Sequence, residues 1–484
     1  MTEEKKERLT SFVDLMSKGK ISDSDLELVT LGNNLGLDLV SFKDLRESQE
    51  EEFADEIRES ALKKLRENND NELEKDDLFY AGSIDFMVCD EPSGKKYFLL
   101  ETNGGSNRGL SIITEKQQRM MYGGYFEAIR QAIKNNNQEE KQMLILVGVP
   151  INDGLIHEKA IMLEYFRKQL EHDGKTVKIC NVQNFTSDLE SNVIFLIADY
   201  EQLSTRLSFN NNWVIFQEEK VHVLIGDGIA RRLQNPEFHK IIENNFRQLN
   251  TIIVNPIFKI TDDKSLTYLA SYFARKTLEK YNLKYLLFSK AFDEKDLIEK
   301  LAYTIKNYDR PFIIKPNGGS GGAGVIPISP QEDPANIENI IEQSKKEFFD
   351  KFLETRDPYP YTIQEMAQFC LIDWMGGRHT FDIRIYLAQK SGEIIPIGGL
   401  ARIARGNYSG SLDKQEFVVN LSGYDGKIEV QRGRGISEEN AQLLNLSKKN
   451  LVDIFCIGCA LFANMAENYR KIINFDDWDE LIGE

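Results

Sequence analysis

The sequence predicts a mixed α/β protein of two or three domains, and three observations carry that prediction. The chain has 484 residues, too many for one compact core. Between residues 141 and 255, apolar runs of strand type alternate with helical ones. Beyond residue 256, a glycine-rich hairpin precedes long alternating strands that carry arginines.

Composition narrows the class. Hydrophobic residues make up 41% and aromatics 10%, ordinary for a folded chain. The net charge is -17, from 60 Lys plus Arg against 77 Asp plus Glu. That balance argues against nonspecific binding to nucleic acid or an anionic membrane. The opening MTEEKKERLT has no apolar core of a secretory signal, and no run is expected to reach the ~20 residues of a membrane span. The five cysteines are sparse. Only Cys456 and Cys459 have CxxC spacing, inside the apolar run LVDIFCIGCALFANM, which predicts two buried thiols on a core helix rather than a metal site. A reducing, cytoplasmic setting fits. Dimers being the commonest assembly, a homodimer is the default expectation.

Residues 1 to 78 are charge-rich and helical in pattern, with EEFADEIRESALKKLRENND as the longest amphipathic piece. They read as a packing or partner-binding extension without chemistry. SIDFMVCDEPSGKKYFLLETN reads as a hairpin, strand–turn–strand. The second strand ends in a carboxylate and an amide two residues apart, Glu101 and Asn103, as a metal site would. A helix, TEKQQRMMYGGYFEAIRQAIK, follows, so residues 79 to 135 form one piece.

From residue 141, QMLILVGVP, TVKICNV, NVIFLIADY and VHVLIGDG read as buried strands, with HEKAIMLEYFRKQLEHDG a helix stopped by Gly174. This predicts a parallel, Rossmann-like domain to residue 255. Its first turn, VGVPINDG, lacks G-x-G-x-x-G, so a dinucleotide site is not expected.

Residues 256 to 484 hold the richest chemistry. RPFIIKPNGGSGGAGVIPI is a strand ending at Lys315, a loop containing Gly318, Gly319, Ser320, Gly321 and Gly322, and a second strand. Glycines let backbone N–H groups approach a phosphate closely. No G-K-[ST] follows, so this is not a Walker loop, and a plain hairpin turn is the alternative. YTIQEMAQF predicts a short strand ending in Gln364, Glu365 and Met366. TFDIRIYLAQKSGEIIPIGGLARIARGNYSG predicts two antiparallel strands with Arg384 and Arg402 on a buried side and Arg405 just beyond. Such an arginine either pairs with a carboxylate such as Asp382 or faces an anion. Several together, beyond a lysine and a glycine flap, favour a triphosphate. EFVVNLSG is expected to place Asn420 at a strand end.

In this order the motifs resemble the ATP-grasp family. VNPIFKITDDK with Lys264 is similar to its opening segment, FIIKPNGGSGGAGV to its flap, and IQEM to its hinge. DIRIYL and GLARIARG resemble its arginine strands, and EFVVNLSG its asparagine stretch. The family's closing aspartate strand and E-x-N are absent from the C-terminal INFDDWDELIGE but present as Asp85, Glu101 and Asn103 near the N-terminus. The resemblance is therefore to a circularly permuted member, tolerable where chain ends lie close.

The resemblance implies ATP and Mg2+. Asp85, Glu101 and Asn103 would be the metal ligands. Lys264, Lys315 and the glycine loop would bind phosphates, with Asn420. The Gln364–Met366 backbone would hold adenine, and Arg402 and Arg384 would neutralise the transferred phosphoryl group. It implies a ligase that converts a carboxylate to an acylphosphate and joins it to an amine or thiol, on an amino acid, peptide, polyamine or carrier-bound acid. A small-molecule kinase and a non-catalytic nucleotide-binding protein are the alternatives. Ser106, Asn107 and Arg108, after the E-x-N strand, are substrate candidates with Arg405. Arg108 would grip a carboxylate, or be a surface loop arginine.

Overall fold

The computed structural model describes residues 2–19, 24–73, 77–104, 109–136, 142–150, 154–186, 191–226, 233, 237–238, 240, 246–319, 321–352, 356–421 and 428–483. Three sheets form among them. The strands in chain order begin with the hairpin β1 (Ala81–Glu91) and β2 (Gly94–Asn103). Next come β3 (Met143–Val149), β4 (Val177–Asn181), β5 (Val193–Asp199), β6 (Leu207–Asn210), β7 (Trp213–Phe216), β8 (Glu219–Gly226) and β9 (Ile252–Ile253). Then follow β10 (Leu283–Lys284), β11 (Phe288–Ala291), β12 (Phe312–Pro316), β13 (Ile326–Ile328) and β14 (Tyr361–Glu365). The last are β15 (Leu371–Trp374), β16 (Gly377–Lys390), β17 (Glu393–Ile403) and β18 (Gly433–Gly435).

One of two seven-stranded sheets, called the large sheet below for its long strands, runs β10-β2-β1-β16-β17-β18, with β15 also on β16. The early hairpin thus sits inside a sheet made otherwise from the second half of the chain. Alternation gives this sheet two different faces. Ile84, Phe86, Ile383, Ile385 and Leu387 point into one apolar core with the helix Lys448–Glu467. Asp85, Asp382, Arg384 and Arg402 point to the other side. Glycine allows the helix to lie close: a Cβ on Gly458 would stand 2.5 Å from Ile385 Cδ1.

Lys448–Glu467 is long and apolar enough to cross a membrane, contrary to the expectation that no run would be. Its most apolar window is 72% buried, because it packs between the sheet and the helix Glu51–Arg66. Cys456 and Cys459 lie buried in it, and burial pushes the Cys456 thiol up to about 12. Phe462 on this helix meets Phe79, just before β1, with ring centroids 4.6 Å apart.

The second sheet, β11-β14-β12-β13, is antiparallel throughout. Phe312, Ile314 and Ile363 face the helices Glu294–Asn307 and Ile337–Phe352. Ile313 and Lys315, on the opposite face of β12, turn toward the large sheet. The third sheet pairs β4, β5, β3, β8 and β9 in parallel, as the strand–helix alternation predicts. The antiparallel β6–β7 extension of β8 was not foreseen. The helix before Gly174 ends at His172, and Gly174 takes a φ of +74°, as a helix stop requires.

The N-terminal segment is not a separate appendage. Phe12, Leu28, Phe42 and Leu45 share one core with the strands β3 and β5 and with Tyr386 and Leu400 of the large sheet.

Candidate functional site

A cavity of about 570 Å³ lies between the polar face of the large sheet and the inner face of the second. Its size suits a ligand site. Sheet register places its charges. Asp85 pairs across β1 with Arg384 of β16 and with Glu101 of β2. Asp382 pairs with Arg402 of β17. The hairpin therefore stands beside the arginine strands, the arrangement on which the sequence reading depends.

The four central groups form a buried ion-pair cluster. Arg384 donates from Nε and NH2 to the two Asp85 oxygens, both at 2.7 Å. Arg402 NH2 donates to Asp85 Oδ2 at 2.7 Å. Arg402 Nε donates to Asp382 Oδ1 at 2.8 Å, and its NH2 also reaches Asp382 Oδ2. Burial alone would raise the Asp85 carboxyl, but the Arg384 and Arg402 charges hold it well below the usual carboxylate range. Asp382 is bound by Arg402, and burial outweighs that pull and pushes its carboxyl up to about 6.

Both oxygens of Asp85, expected as a metal ligand, accept guanidinium hydrogens, so it anchors two arginines while lining the cavity. Glu101 and Asn103 do line the cavity. Glu101 stands 3.6 Å from Arg384. The Asn103 Nδ2 is buried without a hydrogen-bond partner, and a turn of the amide puts its oxygen in the same place. Among the described residues, no three His, Cys, Asp or Glu side chains are grouped to hold a metal ion by themselves. Two oxygen donors fit magnesium when phosphate oxygens complete the shell. An all-protein cage does not fit.

On the facing sheet, Lys315 Nζ donates to Tyr268 Oη at 2.8 Å and to Gln364 Oε1 at 2.6 Å. Burial pushes the Lys315 ammonium down to about 7, with help from the Lys264 charge and against the pull of Glu101. Lys264 opens the helix Lys264–Phe273 and donates to the Gly319 carbonyl at 3.4 Å. The glycine loop forms the predicted hairpin between β12 and β13. Gly318, Gly321 and Gly322 all have positive φ near 70° and line the cavity with Gly319. Ser320 lies outside the described residues.

Gln364 and Met366 line the cavity as expected, but Glu365 is not among the lining residues. Its carboxylate accepts from Leu287 N at 3.2 Å and from Arg310 at 3.1 Å. The Glu365 and Met366 N–H groups donate to the Leu287 and Pro311 carbonyls, so that backbone edge holds the sheet together rather than offering donors to a base. Ile313, Met366 and Phe417 instead form an apolar slot with Val325 and Phe369. Asn420 lines the cavity but is not at a strand end. Residues around it run as irregular backbone, because Arg432 NH2 donates to its carbonyl at 2.6 Å where a ladder bond would be. Arg405 turns away: its Nε donates to Glu429 at 3.1 Å, and it is not among the lining residues. Ser106, Asn107 and Arg108 lie outside the described residues.

Four residues were not foreseen. Arg356 lines the cavity and reaches the Gly318 carbonyl at 3.4 Å; a lone arginine before Asp-Pro gave no signal. Asn255 clamps the hairpin. Its Oδ1 accepts from Tyr80 N and Ala81 N, and its Nδ2 donates to the carbonyls of Ala81 and Gly104, both at 2.7 Å. Its φ is +55°; the N-P pair was visible in the sequence, but not the clamp. Val40 and Phe42 line the cavity from the N-terminal segment, which was expected to carry no part of a site.

No protein-family model matches the chain, and no curated protein matches it. Among solved structures it is similar to a protein described as a gamma-glutamylcysteine synthetase from Methylobacillus flagellatus KT. That match is 9% identical, covers 86% of this chain and 93% of the other, and has a TM-score of 0.42. A glutathione synthetase-like effector from Globodera pallida is 15% identical over 74% of this chain and 80% of its own, at 0.38. D-alanyl-alanine synthetase A from Vibrio cholerae is 10% identical over 63% and 79%, at 0.33.

Proposed function

We propose that this chain is an ATP-dependent acid–amine ligase built as a circularly permuted ATP-grasp protein. One observation carries the proposal: the register that sets Glu101, Asp85 and Arg384 side by side on one sheet, facing Lys315 and the glycine hairpin on another across a single cavity. The permutation is supported by the contact of Phe79 with Phe462, which brings the start of β1 to the end of the helix Lys448–Glu467.

The adenine ring would occupy the slot of Ile313, Met366 and Phe417. The phosphates would run past the glycine loop to Lys264, Lys315 and Arg356. Glu101 and Asn103 would hold magnesium, which supplies charge neutralisation between phosphate oxygens. Arg402 and Arg384, fixed by Asp382 and Asp85, hold positive charge where the acid meets the γ-phosphate. A carboxylate oxygen attacks phosphorus as the bond to ADP breaks, giving an acylphosphate. An amine then attacks the acyl carbon, phosphate leaves, and the amine proton passes to solvent. No side-chain nucleophile is required. Both substrates are small molecules, or the acid or amine group of a peptide or carrier protein.

Product analysis tests this. With magnesium, ATP, an acid and an amine, the expected product is the sum of the two substrates less one water, with ADP and phosphate formed in equal amounts. A product that gains a phosphoryl group would instead make the protein a kinase.

Lys315 gives a separate signature. Above about pH 7 the empty site holds it largely neutral, and an arriving polyphosphate raises its pKa and makes it charged. ATP binding at about pH 8 should take up roughly one proton. The uptake should fade below pH 7, where the ammonium is already present. Titration calorimetry in buffers of different ionisation enthalpy measures it. Lys315→Met should abolish it; an unchanged uptake in that variant would remove Lys315 from the phosphate site.

A further inference from the structure

The cavity has a second apolar end, apart from the slot assigned above to adenine. Register orders the cavity along the strands. At one end Met87 lies opposite Asp382, beside the slot that contains Phe369. Asp85 and Arg384 come next, and Tyr386 follows opposite Ser83. From Leu400, opposite Arg384 on β17, the lining turns to hydrocarbon, with Ile112, Leu155 and Leu421 joined by Val40 and Phe42. These six belong to one apolar core, distinct from the cluster of Ile313, Met366 and Phe417.

The N-terminal contribution is built in. Gln49 Nε2 donates to the Gly399 carbonyl at 2.9 Å, next to Leu400, and Gln49 Oε1 accepts from Ile436 N at 2.8 Å. Gly154, which also lines the cavity, lies against this segment: a Cβ there would stand 3.6 Å from the Asp38 carbonyl oxygen.

We infer that the acid activated by this protein carries a branched aliphatic or aromatic tail, which covers the Phe42–Leu155–Leu400 end while its carboxylate lies at Arg384 and Arg402. This rests on the ligase proposal and names its substrate class. Hydrocarbon walls gain from being covered. A second carboxylate or an ammonium at that end would lose hydration and meet no opposite charge among the apolar residues described there, so dicarboxylic and very small acids are expected to be poor substrates.

Hydroxylamine makes the test independent of the natural amine, because it converts an acylphosphate to a hydroxamate and releases phosphate. The full chain is given magnesium, ATP and hydroxylamine with isovalerate, phenylacetate, leucine or phenylalanine, and with glycine, aspartate or glutamate. The apolar acids should exceed the others in kcat/KM by about tenfold or more. Val40→Glu should lower kcat/KM for the best apolar acid by about tenfold through KM, with KM for ATP unchanged. Should that variant fold poorly, Val40→Ala serves instead and should move the preference toward larger tails. Hydroxamate from glycine, aspartate or glutamate alone, or a Val40 variant with unaltered acid preference, overturns the inference and leaves the ligase proposal standing. No hydroxamate from any acid overturns both.

Discussion

Asp85→Asn is expected to lower the stability of this protein by about 3–5 kcal/mol, the scale for breaking a buried ion pair from one side. Asp85 is 1% exposed and accepts hydrogen bonds from two guanidiniums. An amide of the same shape leaves Arg384 and Arg402 to share Asp382. Because the Asp85 carboxyl is held well below its ordinary range, its contribution is fully present above the unfolded-state value of about 3.9. It is lost as the pH falls from there toward the folded value. The gap between wild type and variant, read from urea midpoints, should therefore be widest near neutrality and close in acid. A neutral-pH loss under about 1 kcal/mol would mean that the cluster is not what joins the hairpin to the arginine strands.

Glu101→Gln is expected to do the reverse: little to the fold, much to turnover. Glu101 lies at the cavity with its side chain 36% exposed and its contact to Arg384 at 3.6 Å. Its loss should change stability by no more than about 0.5 kcal/mol. Removing this cavity carboxylate from the proposed phosphate end should cut ATP turnover by about 10²–10³-fold or more. Steady-state release of phosphate, with a melting curve as control, measures both. Turnover equal to wild type would remove Glu101 from the site and with it the placement of the metal.

Much of the site was legible because its parts are local. Lys315 before a glycine run, Arg384 and Arg402 in apolar strands, and Glu101 two residues from Asn103 are patterns within single elements, and alternation alone puts each on a cavity face. The pairings were not local. Asp382 was the carboxylate considered for either arginine; it holds Arg402, which also shares Asp85, while register gives Arg384 to Asp85, 299 residues away. Asn420 was expected at a strand end, but Arg432 takes its carbonyl. Glu365 and Arg405 found neighbours in Arg310 and Glu429 that draw their side chains out of the cavity.

By itself the sequence determined the α/β class, the strand periodicity, the glycine hairpin and the types of charge the cavity contains. These follow from the chain's own period and from which residues tolerate burial. The tertiary structure alone decided which carboxylate holds which arginine. It also decided that Asn255 clamps the hairpin, and that Val40 and Phe42 from the helical N-terminal segment close one end of the cavity. Those outcomes depend on sheet register and on surfaces far apart in the chain, and a buried charge is satisfied by whichever opposite charge the fold brings within hydrogen-bond distance.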